Sequence, residues 1–423
     1  MEFKVNTLDN CKKEVEFDLT YSDLEPYFDK ALKKYRDKAT IPGFRKGKAP
    51  MGLIKKMYGE IIETGSLEDI SNDVFRDYLT NNNVNPLGEG ILVDINYEPK
   101  QNLKFKVQYE TKPELENLAY KDFEVTKTIY PVDDHSVNDE IKYLRSKHCT
   151  YEDAENAPGD EYVVTLDVHK LDENGIEIIG QHEKDVRFYL NDEQLNKELK
   201  SQLSSYKVGE EKVLTINNND KKELYKAKAT KIEKIILPEL NEDFFKKVSK
   251  KEIKGVDEFR TVIKEDLEKV YQNIEKQELH NNIISELIKL NDIPVPEILV
   301  ENILNNFIED IKRQNPKREL PPDFNEEEYR KTRRTDAILQ VKWFLIKDKI
   351  AETEKLEVTN EDLEPLIKSD AEKYGMDVEK IKKIYENNAD VKYRVLEDKV
   401  MELLVKNAKI KETVHKHEHN ITA

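Results

Sequence analysis

The sequence predicts a multidomain α+β protein: an α+β N-terminal domain, an inserted β-rich domain, and an all-α C-terminal domain with helical arms. Three observations carry that reading. Apolar and polar residues alternate with period two in two separate stretches, residues 1–112 and Gly159 to about Pro238. Past Pro238 the apolar residues recur at helical spacing almost to the end of the chain. The 423 residues leave room for about three domains at roughly 150 residues each. Hydrophobic and charged residues each make up 37%, which suits an extended protein of modest cores better than one thick globule.

The N-terminal strands are predicted in "KVNTLDN", "KKEVEFDLT", "GILVDINYE" and "LKFKVQYETKP". Between them Tyr21, Leu24, Phe28, Leu32 and Tyr35 share a helical face. Ser22 is the expected cap of that helix, with Glu25 completing a capping box. Pro50 suits a first helical turn, and Met51 to about Tyr78 reads as one or two further helices. Between the two helical stretches lies "IPGFRKGKAP", Ile41 to Pro50, with Phe44 beside Arg45, Lys46 and Lys48 and glycine at 43 and 47. Glycine on both sides argues against a buried strand and for a tight loop that presents its side chains outward.

Charge makes that loop unusual. The chain carries a formal net charge of −17, yet residues 41–60 hold five basic residues against Glu60 alone. Residues 1–112 net −1, so the remainder holds −16 and would repel a polyanion that the N-terminal segment tolerates. A merely solvated basic face is the plain alternative.

Residues 113–149 are expected to form a connector with one short helix, capped by Asp134 or Ser136. In the inserted domain, 150–240, strands are expected in "YVVTLDVHKLDENGIEI", "VRFYL", "EKVLTI" and "YKAKATKIEKIIL", with a hairpin turn at Asn174–Gly175 and a helical piece "NDEQLNKELKSQL". The C-terminal domain, 241–423, opens with a long amphipathic run that ends at Pro294 and Pro296. A second helix follows, then breaks at Pro316, Pro321 and Pro322. A third contains the apolar block Ile338–Ile346 with the only tryptophan, Trp343, and shorter helices are expected near 360–374, 378–388 and 390–409. The apolar stripes are narrow for such long helices, so some apolar surface is expected to line grooves.

Several chemistries are disfavoured. Cys11 and Cys149 cannot form a disulfide framework and have no readable histidine partner, which points to a reducing, cytoplasmic setting and away from thiol catalysis. The first twenty residues hold charges throughout and no signal peptide, and no apolar run is long enough to span a membrane. No phosphate-binding GxxxxGK[ST] loop is present, so neither a nucleotide nor another cofactor is expected. His135, His148, His169, His182 and His280 lack metal-ligand spacing, and His415, His417 and His419 alternate in a polar tail, so no metal site is expected.

"GFRKGKAP" between two helices, followed by "MGLIKKMYG", resembles the ribosome-docking signature of the bacterial trigger factor family. The order of domains is similar along essentially the whole chain. "PELNEDFFKKV" resembles that family's re-entry from an inserted FK506-binding-type domain, and "IPVPEILVENIL" its start of a second helical arm. The resemblance implies that 1–112 is a ribosome-binding domain and that 113–149 packs with the C-terminal domain. It implies docking on the large ribosomal subunit at the tunnel exit, on protein and rRNA, through Gly43, Phe44, Arg45, Lys46, Gly47, Lys48 and Pro50. The three cations suit salt-sensitive contacts to phosphates or acidic side chains, and Phe44 an apolar anchor. It further implies an ATP-independent chaperone for nascent and unfolded polypeptides that aids folding and export, and a homodimer off the ribosome. Candidate client contacts are Ile303, Phe307, Trp343, Phe344 and Val395, each of which also suits a helix–helix core.

The family is classed as a peptidyl-prolyl cis-trans isomerase, but the inserted domain departs from its pattern. Asp167 is followed by Val168 where the family has phenylalanine. Its pocket-lining Ile-Pro-Gly-Phe falls on Asn196, Lys197, Glu198 and Leu199, and its Phe-Pro-x-x-Tyr on the proline-free "INNNDKKELY". The expectation is a domain that keeps the fold, loses the pocket, and has no catalytic residues. The alternative is an active isomerase with a pocket rebuilt from Phe188, Tyr189 and Tyr206, aromatics that core and hairpin packing also explain.

Overall fold

The computed structural model describes residues 2–38, 40–172, 175–192, 194–195, 197–218, 221–249 and 251–415. Asn174, Asn196, His417 and His419, used in the sequence reading, lie outside them. The chain divides into two compact units, Met1–Lys127 with Gln277–Thr413 and Thr128–Lys276 with Val414–Ala423.

The first unit opens with β1 (Glu2–Thr7), β2 (Lys12–Thr20), α1 (Tyr21–Lys38), α2 (Met51–Gly65), α3 (Leu67–Asn81), β3 (Ile91–Glu98) and β4 (Asn102–Glu110). The strands form an antiparallel sheet in the order β1-β2-β4-β3. Alternation places Val15, Phe17 and Leu19 of β2 beside Val107, Phe105 and Leu103 of β4 on one face, where Leu24 and Phe28 of α1 and Val74, Phe75 and Tyr78 of α3 close over them. Glu16 and Asp18 take the other face opposite Lys106 and Lys104. The α1 cap is not Ser22. Asp23 Oδ2 accepts from the Thr20 amide at 3.0 Å and the Thr20 hydroxyl at 2.8 Å, because β2 runs directly into the helix and leaves Ser22 inside its first turn.

The second unit holds α4 (Asp134–Lys147), β6 (Thr150–Asp153), β7 (Tyr162–Leu171), β8 (Glu177–Tyr189), α5 (Lys197–Ser204), β9 (Glu211–Asn218), β10 (Lys221–Ile236), α6 (Glu242–Ser249) and the start of α7 (Val256–Leu290). The α4 cap lies one residue before the expected pair: Asp133 accepts from the Ser136 amide at 2.9 Å, and Ser136 serves as its capping-box partner. In the five-stranded sheet β10 pairs with β7, β9 and β6, while β8 forms the outer edge on β7. The predicted β7–β8 hairpin is present, with Gly175 at φ +79°. The helical piece is shorter than expected: α5 begins at Lys197 and packs Leu199 and Leu203 against Leu166, Leu214 and Ile232. A separate core joins α4, α6 and α7 through Val137, Ile141, Phe244, Phe245 and Phe259.

The first unit resumes with the rest of α7, α8 (Glu297–Gln314), α9 (Glu326–Thr353), α10 (Asn360–Tyr374), α11 (Val378–Glu386) and α12 (Ala389–Asn407). Pro296 stands at the start of α8, as the sequence suggested. The main helical core gathers Ile283, Leu287, Leu304, Val341, Ile346 and Leu404, and α10–α12 share a smaller one around Leu363, Ile367 and Ile381. An unforeseen strand, β11 (Lys409–Val414), pairs with β5 (Glu124–Ile129). All six β11 residues are exposed, so no buried face leaves an alternating pattern to read. No helix among the described residues is long and apolar enough to cross a membrane.

Candidate docking site

Two successive β-turns build the 41–50 loop. The Phe44 amide donates to the Ile41 carbonyl at 3.1 Å, and the Lys48 amide to the Arg45 carbonyl at 2.9 Å. The third residues of the turns are Gly43 at φ +83° and Gly47 at φ +77°, where a residue with a Cβ would cost about 1–2 kcal/mol. Pro42 presets the second position of the first turn. Ile41 and Ala49 are buried against Leu32, Ile54 and Ile62, so both ends of the loop are anchored in the seam between α1 and α2. Between the anchors Phe44, Arg45, Lys46 and Lys48 are exposed, Phe44 by 39%. Among the described residues no carboxylate pairs with the three cations, whereas nearby Arg36 is engaged by Asp37 at 3.0 Å. The loop is thus a fixed scaffold with uncommitted positive charge around one aromatic. Pro50, extended at φ −61°, starts α2.

The sequence reading missed what holds the other end of this helical hairpin. Glu63, in the last turn of α2, is buried and accepts from the hydroxyls of Tyr21 at 3.2 Å and Tyr97 at 3.0 Å. Tyr21 begins α1 and Tyr97 lies on β3, so one carboxylate fastens both helices to the sheet. Burial, then the hydrogen bond to Glu63, pushes the Tyr97 hydroxyl up to about 12, which keeps it a donor at neutral pH. Replacing Glu63 by alanine is expected to destabilise the N-terminal domain by roughly 1–3 kcal/mol, through two orphaned hydroxyls. Glu63→Gln keeps an acceptor and should cost less. Chemical denaturation of the three proteins checks the ranking, and equal stability of all three would refute the clamp. A lone glutamate on a helix gives no sequence signal of this kind.

The client candidates separate in the structure. Ile303 and Phe307 on α8 and Phe344 on α9 are half-buried at the edge of the main helical core. Trp343 takes the core role: it is 9% exposed, and its Nε1 donates to Glu397 at 3.0 Å. Val395 is likewise interior, at 8%, packed with Leu363 and Ile367. Of the two roles each residue suited, the structure gives both the helix–helix core: Trp343 of α9 lies in the main helical core, and Val395 of α12 packs against α10 and α11. Lys347, also missed, is 3% exposed on α9 with Nζ 3.1 Å from Glu397.

The inserted domain also corrects an expectation. An open cleft of about 440 Å³ persists beside β7 and β8, with Val168, Val186, Phe188, Leu214, Ile216 and Tyr225 as its apolar walls and Lys170 and His182 among its polar groups. Of the three aromatics in the rebuilt-pocket alternative, only Phe188 reaches it. Tyr206 is a core residue at 1% exposure, and Tyr189 is 38% exposed against the Arg187 guanidinium. Lys197 to Leu199 are spent on α5, whose Leu199 packs into the core. Elsewhere, burial and then Asp9 push the Cys11 thiol up to about 11, so it is no nucleophile at neutral pH. His415 stacks on Tyr130 at 4.8 Å. Among the described residues no group of three or more His, Cys, Asp or Glu could hold a metal ion.

Fold and site define a class: a multidomain α+β protein that carries a basic, aromatic-tipped helical hairpin ahead of an inserted sheet domain and long C-terminal helices. A family model described as bacterial trigger factor protein matches residues 1–144, and one for the C-terminus of the same protein matches residues 255–406. The chain belongs to the bacterial trigger factor family. It is 29% identical over 422 residues to the trigger factor of Salinibacter ruber, covering 92% of this chain and 90% of that one. It is 29% identical over 443 residues to that of Geotalea daltonii, covering 98% and 99%. A solved structure described under promiscuous substrate recognition in folding and assembly activities of the trigger factor chaperone matches with a TM-score of 0.53 at 20% identity. The match covers 96% of this chain and 99% of that one. That likeness supports the fold.

Proposed function

We propose that this chain is an ATP-independent chaperone that docks on the large ribosomal subunit at the tunnel exit through the 43–50 loop and shields nascent or unfolded polypeptides. The observation that carries the reading is the twin-turn scaffold, which holds Phe44 and three unpaired cations outward in a chain of net charge −17. Family membership supports it, as does the solved relative described as a chaperone with promiscuous substrate recognition. In this reading 1–112 docks, 113–149 connects, 150–240 adds binding surface, and 241–423 offers the half-buried Ile303, Phe307 and Phe344 to clients. It acts in the cytoplasm, and off the ribosome it forms a homodimer. Co-sedimentation with purified ribosomes, together with suppression of client aggregation in nucleotide-free buffer, tests this. A chain that protects clients but never sediments with ribosomes would refute docking, and a requirement for ATP would refute the mechanism.

The cleft beside Phe188 favours a second reading, peptidyl-prolyl isomerisation. Catalysis must lower a barrier of ~18–20 kcal/mol by desolvating and twisting the X–Pro amide. A cleft with Lys170 and His182 among its lining, and only Phe188 and Tyr225 as aromatics, is poorly suited to that. Catalytic amounts of the chain are therefore expected to leave proline-limited refolding of a small model protein at its uncatalysed rate. Clear acceleration would make the enzyme reading the correct one.

A further inference from the structure

We propose that Glu110 is the catch of a latch: the N-terminal domain caps α8 across the domain boundary, and opening of that contact uncovers Phe344 for clients. The client role of Phe344 rests on the function proposed above. Helix α8 does not cap itself. Pro296 stands at its N-cap and supplies no side-chain acceptor. The Leu299 and Val300 amides turn back to the Pro296 carbonyl at 3.2 and 3.4 Å. The Ile298 amide instead donates to Glu110 Oε2 at 3.0 Å, on a strand 188 residues earlier in the chain. A carboxylate at that point also meets the positive end of the helix dipole.

The backbone around Glu110 is fixed. Glu110 ends β4 opposite Lys12 of β2, and its carbonyl accepts from the Leu87 amide at 2.7 Å. Next to Leu87, Gly88 sits at φ +82° so close to α8 that a Cβ there would stand 2.1 Å from Ile298 Cδ1. On the other side of Glu110, the Lys112 ammonium lies over the Phe344 ring, 5.6 Å from its centroid, and pairs with Asp348 at 2.8 Å. The end of β4 therefore reaches both helices that carry the client candidates, α8 with Ile303 and Phe307 and α9 with Phe344.

The contact is thin. The core under the sheet and the main helical core share no residue, and an open cavity of about 550 Å³ lies between Asn10 and Lys13 on one side and Leu290, Asn291 and Pro294 on the other. The Lys112 and Asp348 side chains are 51% and 52% exposed, so their ion pair adds little. Asn291 fastens the far end of the connector, accepting from the Ala119 amide at 2.8 Å and donating to its carbonyl at 3.0 Å. That leaves 113–118 as the segment across which the latch swings. A client that meets Phe344 only in the open form binds in proportion to the open fraction. Loss of the cap should raise that fraction about tenfold.

Affinity for reduced, carboxymethylated α-lactalbumin, which stays unfolded, is measured on the full chain as wild type, Glu110→Ala and Glu110→Gln. A fourth protein, Gly88→Cys/Ile298→Cys in a Cys149→Ser background, places two thiols at disulfide reach so that oxidation locks the latch shut. Glu110→Ala is expected to bind the unfolded protein about tenfold more tightly, and Glu110→Gln, which keeps an acceptor, to stay within about threefold of wild type. The oxidised lock should bind more weakly than wild type, and reduction should restore it. Glu110→Ala decides by itself if the turn at Gly88 rejects cysteine, and thermal unfolding serves as its folding control. Unchanged affinity of folded Glu110→Ala would overturn the proposal, because the cap would then serve stability alone. Weaker binding by folded Glu110→Ala, or equal affinity of the lock before and after reduction, would overturn it as well. A wild type that never binds the unfolded protein would instead remove the chaperone reading and take the latch with it.

Discussion

Replacing Phe44, Arg45 and Lys46 together by alanine should abolish co-sedimentation with ribosomes at about 100 mM salt. Each lost charge-assisted contact is worth about 1.5–3 kcal/mol and the buried aromatic a further ~1.5–3 kcal/mol. Even the low end of the combined loss, about 4–5 kcal/mol, lowers affinity by more than a thousandfold. A micromolar complex would then escape detection. The fold should be indifferent, because all three side chains are exposed and none makes an ion pair among the described residues. Surface changes of that kind typically move stability by less than ~0.5 kcal/mol. The expected signature is loss of ribosome binding with an unshifted melting curve and intact suppression of client aggregation. Unchanged co-sedimentation at that salt would mean that the loop is only a solvated basic turn.

The second large effect lies far from the loop. The Lys347 ammonium, 3% exposed, rests between Glu397 at 3.1 Å and the face of the Tyr393 ring, 3.8 Å from its centroid. Glu397 also accepts from Trp343 Nε1. Glu397→Ala leaves a buried cation and an indole N–H without their acceptor. It should cost about 3 kcal/mol, at the lower end of the ~3–5 kcal/mol range for a broken buried pair, because the Glu397 side chain is itself 36% exposed and water can enter. Lys347→Met keeps the packed stem and removes the charge, so it should lie within about 1 kcal/mol of wild type or be more stable. Trp343 is the only tryptophan and touches the network, so its fluorescence during urea unfolding reports this region directly. Equal losses from both substitutions would show that the pair acts by packing and not by charge.

These two sites differ in how far they could be read in advance. The loop was legible because its logic is local: two glycines at turn positions, a proline at a helix start, and cations uncompensated within ten residues. The Lys347 network was not, since its lysine lies at the end of an apolar block and its partners are on α12. The choice between client contact and helix–helix core at Trp343 and Val395 stayed open for the same reason. A narrow stripe on one helix does not say whether another helix covers it. The cleft beside Phe188 escaped because its walls come from β7, β8, β9 and β10, and only their pairing in the sheet brings Val168, Phe188, Ile216 and Tyr225 together. The caps at Thr20 and Asp133 were each misplaced by one to three residues, since several side chains in a row could serve and the end of the preceding extended segment decides among them.

By itself the sequence determined the α+β and helical organisation, the position of nearly every helix, and the chemistry offered by the 41–50 loop. Helical periodicity, β alternation, turn glycines and net charge are properties of neighbouring residues and need no knowledge of the fold. Only the tertiary structure decided that Glu63 fastens the base of the docking hairpin, that Trp343 faces inward, and that β11 closes on β5. It alone decided that Met57 and Ile61 are left exposed. Each of those depends on what a side chain or strand meets across a distance in sequence: 34 residues separate Glu63 from Tyr97, and 287 separate Lys411 from Glu124. Such meetings are set by the packing of whole elements and leave no local pattern behind.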